Sequence, residues 1–420
     1  TGYLAFAVLT GLPLGVAALR RWRPAGAAAV PAPEAAPARV ATALFLGLAL
    51  FAVAFSGLEN ILRPAESWDT LQHWSVDSAG FLSHHRGANS GEPFEFTRNT
   101  HWPTIKLIAA WSGWAASLTD LQYGVYAPWL LLQLALGFAA AGLALGLTGR
   151  ASLAALAGYL AVSSPLVTTH VALPGYADLW QAGGVLLFMT LVLVETGMSR
   201  TPRHLLACLL LGTAVALSKG NGIVYALILA GSAGLAVLLA KARPAVTVAV
   251  LGATAAAAAI AASVGFDLRF AGYRMAFLPG ENLVALGKRA SGIPESNWAG
   301  IAGNLLEAWG RAASYHGAIA TLIVLVPLLV ILVRPRRAFA TCFSLVTPLA
   351  LAAFFVVAQR YGEYFYRFAT PDNDSGLTRF SMIVFLSLLP APFVILASLR
   401  RDKAAAPSAA AGAEGKDPRS

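Results

Sequence analysis

Charge is what this chain has least of. Only 12% of its 420 residues are charged, roughly half the share of about 25% found in soluble globular proteins. That deficit excludes an ordinary soluble enzyme, a disordered protein and a nucleic-acid binder, despite a net charge of +10. Cysteine is scarce as well. Cys208 and Cys342 are the only two, each inside an apolar run, so neither a disulfide framework nor a cysteine metal site is available. No internal repeat of the kind many transporters carry stands out. What the chain has instead is apolar residues, 57% of the total, gathered into long runs. Basic residues that are mostly arginine, with abundant alanine and glycine, suit a GC-rich bacterial gene.

A helix crossing ~30 Å of hydrocarbon needs about 20 mostly apolar residues. Runs approaching that length lie at 3–19, 40–58, 124–147, 151–168, 177–195, 205–218, 222–240, 245–264, 317–333, 339–358 and 380–399. They predict an all-α polytopic membrane protein of about eleven spans, with residues 1–400 forming one transmembrane domain. The run at 105–118 is shorter and carries Trp111 and Trp114; its length and aromatics suit a helix lying in the membrane surface.

Arginines and lysines fix the expected orientation. Eleven alternating spans put the clusters at 20–23, 150, 200–203, 241–243, 334–337 and 400–403 on one side. That inner side holds 17 of the 30 basic residues and five of the 20 acids. The basic excess therefore belongs to topology. Inner segments are short, apart from the Ala/Pro-rich linker at 23–39 and a tail at 401–420 that reads as disordered and cytoplasmic. Three long loops face outward, at 59–123, 265–316 and 359–379, and six of the seven histidines lie on that side. The expected location is a bacterial cytoplasmic membrane, with the chemistry on the periplasmic face.

Five places in the outer segments carry candidate chemistry. The first is Glu-Ser-Trp-Asp-Thr-Leu-Gln-His-Trp (66–74), which puts Asp69 just beyond a span; a carboxylate there can take a proton from an acceptor hydroxyl, or simply cap a surface helix. The second is Asn-Thr-His-Trp-Pro-Thr-Ile-Lys (99–106); His101 can donate to a phosphate or be a loop histidine with no role. Third, Asp178 closes the junction 170–180 at the outer end of a span. It is either a functional intramembrane acid or a hydrated helix-start charge favoured by the dipole. The fourth is the turn Ser-Lys-Gly-Asn-Gly (218–222), where Lys219 offers a cation at phosphate-headgroup depth or snorkels to the interface. Last, Arg360, Arg367 and Arg379 are interleaved with aromatics; they can clamp a phosphate or anchor the loop to anionic lipid.

The order of these elements resembles the polytopic glycosyltransferases of the C-type fold (GT-C), among them the protein O-mannosyltransferases and the lipid A aminoarabinose transferases. The matching features are Trp68 and Asp69 in the first outer loop, His101, Trp102 and Pro103 ahead of a surface helix, and the lysine turn at 218–222. Arg379 opening a late span, and the junction Gly175, Tyr176, Ala177 and Asp178, complete the set. The likeness covers residues 40–400 in organisation. Thr70 stands where the family often has a second acid, and Asn221 where the lysine turn often has Glu. An extra span precedes the first long loop, and no large soluble outer domain follows the spans.

The resemblance implies an inverting transferase that moves a sugar from a polyprenyl-phosphate donor in the outer leaflet to a lipid, glycan or protein acceptor. Asp69 would be the general base. Lys219 and Arg379, with Arg360 or Arg367, would neutralise the leaving phosphate, and His101 would hold donor or acceptor. No cofactor is implied; cationic side chains can do a metal's work here, and a divalent ion stays open. The competing readings are a transporter or lipid flippase, and an envelope polysaccharide polymerase or ligase.

Overall fold

A computed structural model describes residues 34–62, 75–86, 104–115, 126–194, 202–219, 221–241, 264–270, 273–281, 283–287, 289–292, 338–361 and 375–405. Twelve helices and four strands lie among them. In chain order the helices are α1 (Ala36–Leu62), α2 (Ser75–Arg86), α3 (Thr104–Ala115), α4 (Ala127–Thr148), α5 (Ala151–Ser163) and α6 (Pro165–Ala172). They continue with α7 (Asp178–Val194), α8 (Pro202–Ser218), α9 (Gly222–Lys241), α10 (Ala338–Tyr361), α11 (Ser375–Leu388) and α12 (Pro390–Ala405).

Two described helical stretches, Ala36–Asn60 and Ala127–Thr148, are long and apolar enough to cross a membrane, and the bent pair α5 and α6 makes a third if it is one span. Shorter apolar stretches at Asp178–Leu193, Leu206–Ser218, Gly222–Val237, Phe339–Ala352 and Ser381–Ala397 coincide with five more of the expected runs. The runs at 3–19 and 317–333, and all of 245–264 except Val264, lie outside the described residues. The fold is helical and suited to membrane association.

One expected span is broken, at a proline. Pro165 has no N–H to continue the helix, and it disfavours the helical conformation at the residue before it. Ser164 accordingly sits at φ −53°, ψ 126°, and α5 and α6 meet at 51°. A break in hydrocarbon frees backbone carbonyls that must find donors elsewhere. Gln133 of α4 supplies one: its Nε2 donates to Val162 O at 2.8 Å, while its Oε1 accepts from Ser56 Oγ of α1 at 2.8 Å. The end of α6 is capped the same way, by Asn60 Nδ2 donating to Val171 O at 2.7 Å. At 380–399 only the turn residue Leu389, just before Pro390, separates α11 from α12, and its N–H still donates to Phe385 O at 3.1 Å, so the stretch Ser381–Ala397 stays one apolar run.

Helices α4 and α5 pack closely because glycine faces glycine: a Cβ on Gly158 would lie 3.2 Å from Gly137 O. Small residues at a crossing are how membrane helices gain contact without a hydrophobic drive between them. Helix α7 is the buried centre, with Leu179, Ala182, Val185, Leu186 and Met189 fully covered; α4, α8 and α11 pack around it. By contrast α1 exposes Leu50, Phe51 and Phe55, the expected state of a face turned to lipid.

Contacts between their ends show α1, α4 and the α5–α6 pair alternating in direction. Glu34, just ahead of α1, accepts from the N–H and Oγ of Ser152 at the start of α5. The Ser152 N–H foremost among these bonds holds the Glu34 carboxyl below its usual range. The end of α1, the start of α4 and the end of α6 meet at the opposite pole, through Asn60, Tyr126 and Val171.

Two segments differ from expectation. Residues 401–405 continue α12 instead of joining the tail; Arg400, Arg401 and Lys403 suit a helix C-terminus, where the dipole favours cations. The segment expected as the second outer loop contains a four-stranded antiparallel meander in the order β1 (Phe266–Phe270), β2 (Tyr273–Leu278), β3 (Leu283–Gly287) and β4 (Arg289–Gly292). The turn at Pro279 and Gly280 joins β2 to β3 as a single 3-10 turn.

Candidate functional site

Two of the candidate residues meet. Asp178 opens α7 and Lys219 follows the last residue of α8, and Lys219 Nζ donates to Asp178 Oδ1 at 2.9 Å. Each charge suits its helix end, an anion at an N-terminus and a cation at a C-terminus. The Asp178 side chain is 2% exposed and that of Lys219 16%. The carboxylate is thus buried rather than hydrated, and the ammonium forms an ion pair rather than reaching freely to an interface. Lys219 is the less covered of the two.

Below the pair runs a chain of neutral polar groups. Gln181, one turn along α7 from Asp178, donates from Nε2 to Asn221 Oδ1 at 2.7 Å, and Asn221 Nδ2 donates to the Tyr225 hydroxyl at 3.0 Å. The Tyr225 ring packs edge-on against Phe354 of α10, centroids 5.8 Å apart. Gln181 and Tyr225 are fully buried and Asn221 nearly so. Gln181 Oε1 has no hydrogen-bond partner, an arrangement that leaves one acceptor for a donor group or water. The turn carrying Lys219 is tight: the Gly222 N–H donates to Lys219 O at 2.8 Å. A Cβ at Gly222 would lie 2.2 Å from Val215 O, so glycine is required there.

Aromatic residues wall the neighbouring helix ends. Trp129 donates from Nε1 to Tyr176 O at 3.0 Å and meets Trp180 edge-on at 5.5 Å. His170 is buried, bonds Leu166 O through Nδ1 and contacts the Tyr176 ring.

The segment between α1 and α4 adds a second buried ion pair. Lys106 of α3 donates to Asp77 in the first turn of α2, and Ser78 Oγ donates to Lys106 O at 2.9 Å. Both charged side chains are at most 2% exposed. Desolvating two charges favours folding only when geometry and further hydrogen bonds to them compensate; the Ser78 bond goes to the Lys106 backbone and adds a second tie between the two helices. The pair fastens α2 to α3, and α3 in turn touches α4 and α8. Helix α3 buries Ile105, Lys106 and Ala109 while exposing Leu107 and Trp111, the amphipathic division expected of a surface helix.

Asp69, His101 and Arg367 lie outside the described residues. In sequence Asp69 falls between α1 and α2, and His101 three residues before α3. Arg360 belongs to the last turn of α10 and Arg379 to the second turn of α11; their side chains lie outside the described residues. No cluster of three or more His, Cys, Asp or Glu able to hold a metal occurs among the described residues.

Gln181, Asn221, Tyr225, Asp77 and Lys106 were given no role by the sequence. The usable signal was helical spacing: Asp178 with Gln181 at i,i+3, and Asn221 with Tyr225 at i,i+4, are the separations that share a face. The chain matches no family model, no curated protein and no solved structure.

Proposed function

We propose that the chain is a glycosyltransferase of a bacterial cytoplasmic membrane, with about eleven spans and its reaction centre on the outer face. The reaction is a single inverting displacement. An acceptor hydroxyl attacks the anomeric carbon of a polyprenyl-phosphate sugar as the bond from that carbon to the phosphate oxygen breaks. The hydroxyl proton passes to Asp69, and polyprenyl phosphate leaves.

The observation that carries this reading is the pair of Asp178 and Lys219 with the buried amide and phenol chain beneath it. It collects a fixed cation, slightly exposed along its side chain, and neutral hydrogen-bonding groups at one pole of the helices. A cation held in a low-dielectric surround stabilises charge developing on a leaving phosphate. Lys219 takes that role with Arg379, and Arg360 or Arg367 adds to it. Asp178 is a positioning residue: it fixes the ammonium instead of touching substrate. His101 holds donor or acceptor, and a divalent ion is compatible but unnecessary.

A transporter or flippase is less well supported. Transporters keep ionisable groups near the midplane between broken helices. The described apolar stretches place theirs at the ends, as with Asp178, Lys219 and His170.

The test is Asp69→Asn. Asparagine caps a helix about as well as aspartate but accepts no proton at neutral pH. Transfer should fall by about 10²-fold or more, the range for losing a general base, while protein level and donor binding persist. Near-normal transfer would remove Asp69 from the mechanism and make Asp178 the next residue to examine.

A further inference from the structure

We propose that Gln181 and Asn221 are positioning residues for Lys219. Their amide bond is the second of two ties that hold the lysine turn against α7 and set where its ammonium meets a lipid phosphate. The inference rests on the reading of Lys219 as the phosphate-facing cation.

Lys219 lies outside both neighbouring helices, one residue after α8 and three before α9, so helix geometry alone does not fix its ammonium. Backbone bonds shape the turn. The Gly222 N–H donates to Lys219 O at 2.8 Å, and the Val224 N–H to Asn221 O at 3.1 Å. These bonds join the turn to α9, not to α7. Two side-chain bonds tie it to α7: Lys219 to Asp178 at 2.9 Å and Gln181 to Asn221 at 2.7 Å. Asp178 and Gln181 share one face of α7, about 4.5 Å apart along its axis. A single tie would let the turn swing about the ion pair. A second one, displaced along the helix, removes that freedom.

The two amides suit this task better than they suit packing. Asn221 is bonded through both its side-chain atoms: Oδ1 accepts from Gln181, and Nδ2 donates to the Tyr225 hydroxyl at 3.0 Å. Tyr225 is fully buried and set edge-on to Phe354 of α10, so the far end of the chain is itself anchored. Gln181 is fully buried with Oε1 lacking a partner. Methionine would fill a similar space without leaving a buried acceptor unmatched, which is costly. An amide at such a position points to the bond that its other end makes.

The test is competitive acetylation of the full chain in detergent, read by mass spectrometry. Lys219 is compared with Lys416 as reference, and Lys106, in the other buried pair, reports general loosening. Gln181→Met keeps the length of the side chain and removes its donor; Asn221→Ala removes the acceptor from the other side. Each should speed acetylation of Lys219 about tenfold, the worth of one hydrogen bond, and leave Lys106 unchanged. The double variant should react no faster than either single one, because both break the same bond. Farnesyl phosphate should protect Lys219 in the wild type, and more of it should be needed in either variant. Lys219 reacting at the wild-type rate in both variants, or rates that multiply in the double one, would overturn the proposal. So would Lys219 and Lys106 rising together, since the amides would then stabilise the fold at large. Wild-type Lys219 left unprotected by farnesyl phosphate, with the variants ranked as expected, would confirm the tie and contradict the phosphate reading.

Discussion

At the scale of the residue, the two members of the central ion pair are unequal. Asp178 is 2% exposed and Lys219 16%, so each loss has a different cost. Lys219→Met removes the hydrogen-bonded ammonium from a buried carboxylate, a change expected to destabilise by roughly 3–5 kcal/mol. Asp178→Asn leaves the ammonium, the less covered of the two, and should cost less. Thermal unfolding in detergent should rank wild type, Asp178→Asn and Lys219→Met in falling order, with the double variant above Lys219→Met alone. Equal stability of both single variants would contradict the asymmetry. Both residues were singled out from sequence, by an acid and a lysine at span ends. Their pairing was not legible, because 41 residues separate them and only the packing of α7 against α8 brings them together. Gln181 and Tyr225 were overlooked for a related reason: an amide or phenol in an apolar run acquires meaning only when its partner's helix is known.

At the scale of the element, the apolar runs foretold most helices, since length and hydrophobicity are local properties. The meander escaped notice because its strands are only four to six residues long and sit inside a segment read as loop. Its charged face makes a prediction of its own. Asp267 is bonded by Arg274, through Nε at 3.0 Å and Nη2 at 2.8 Å, and by Arg269 at 3.2 Å. The Arg274 bond foremost, then that of Arg269, holds its carboxyl down to about 2 from an ordinary 3.8. A depressed folded-state value stabilises above the unfolded one and is lost as pH falls through the folded one. The contribution of Asp267 is therefore complete above pH ~4 and disappears towards pH 2. Arg274→Gln should raise the Asp267 midpoint towards 3.8, followed through the carboxyl carbon resonance of labelled protein. A midpoint unchanged by that substitution would show that Arg274 is not the cause.

At the scale of the whole molecule, the proposed topology rests on the uneven arginine distribution. Asp178, Lys219, Asn60 and the first-loop helices belong to the pole read as outward, and Glu34 with Ser152 to the inward one. Single cysteines at Ser90→Cys and Ser408→Cys check this in intact cells or spheroplasts. An impermeant reagent should label position 90 and spare 408; the reverse pattern would remove the basis for an outward reaction centre. The central claim, transfer of a lipid-linked sugar outside the membrane, is tested most directly by mass spectrometry of envelope glycans and polyprenyl lipids from cells with and without the protein. The account predicts that its loss removes one glycosyl mass from an envelope acceptor and leaves the matching polyprenyl-phosphate sugar to accumulate. Envelope glycans and polyprenyl lipids identical in the two strains, while the protein is demonstrably made in one of them, would contradict it.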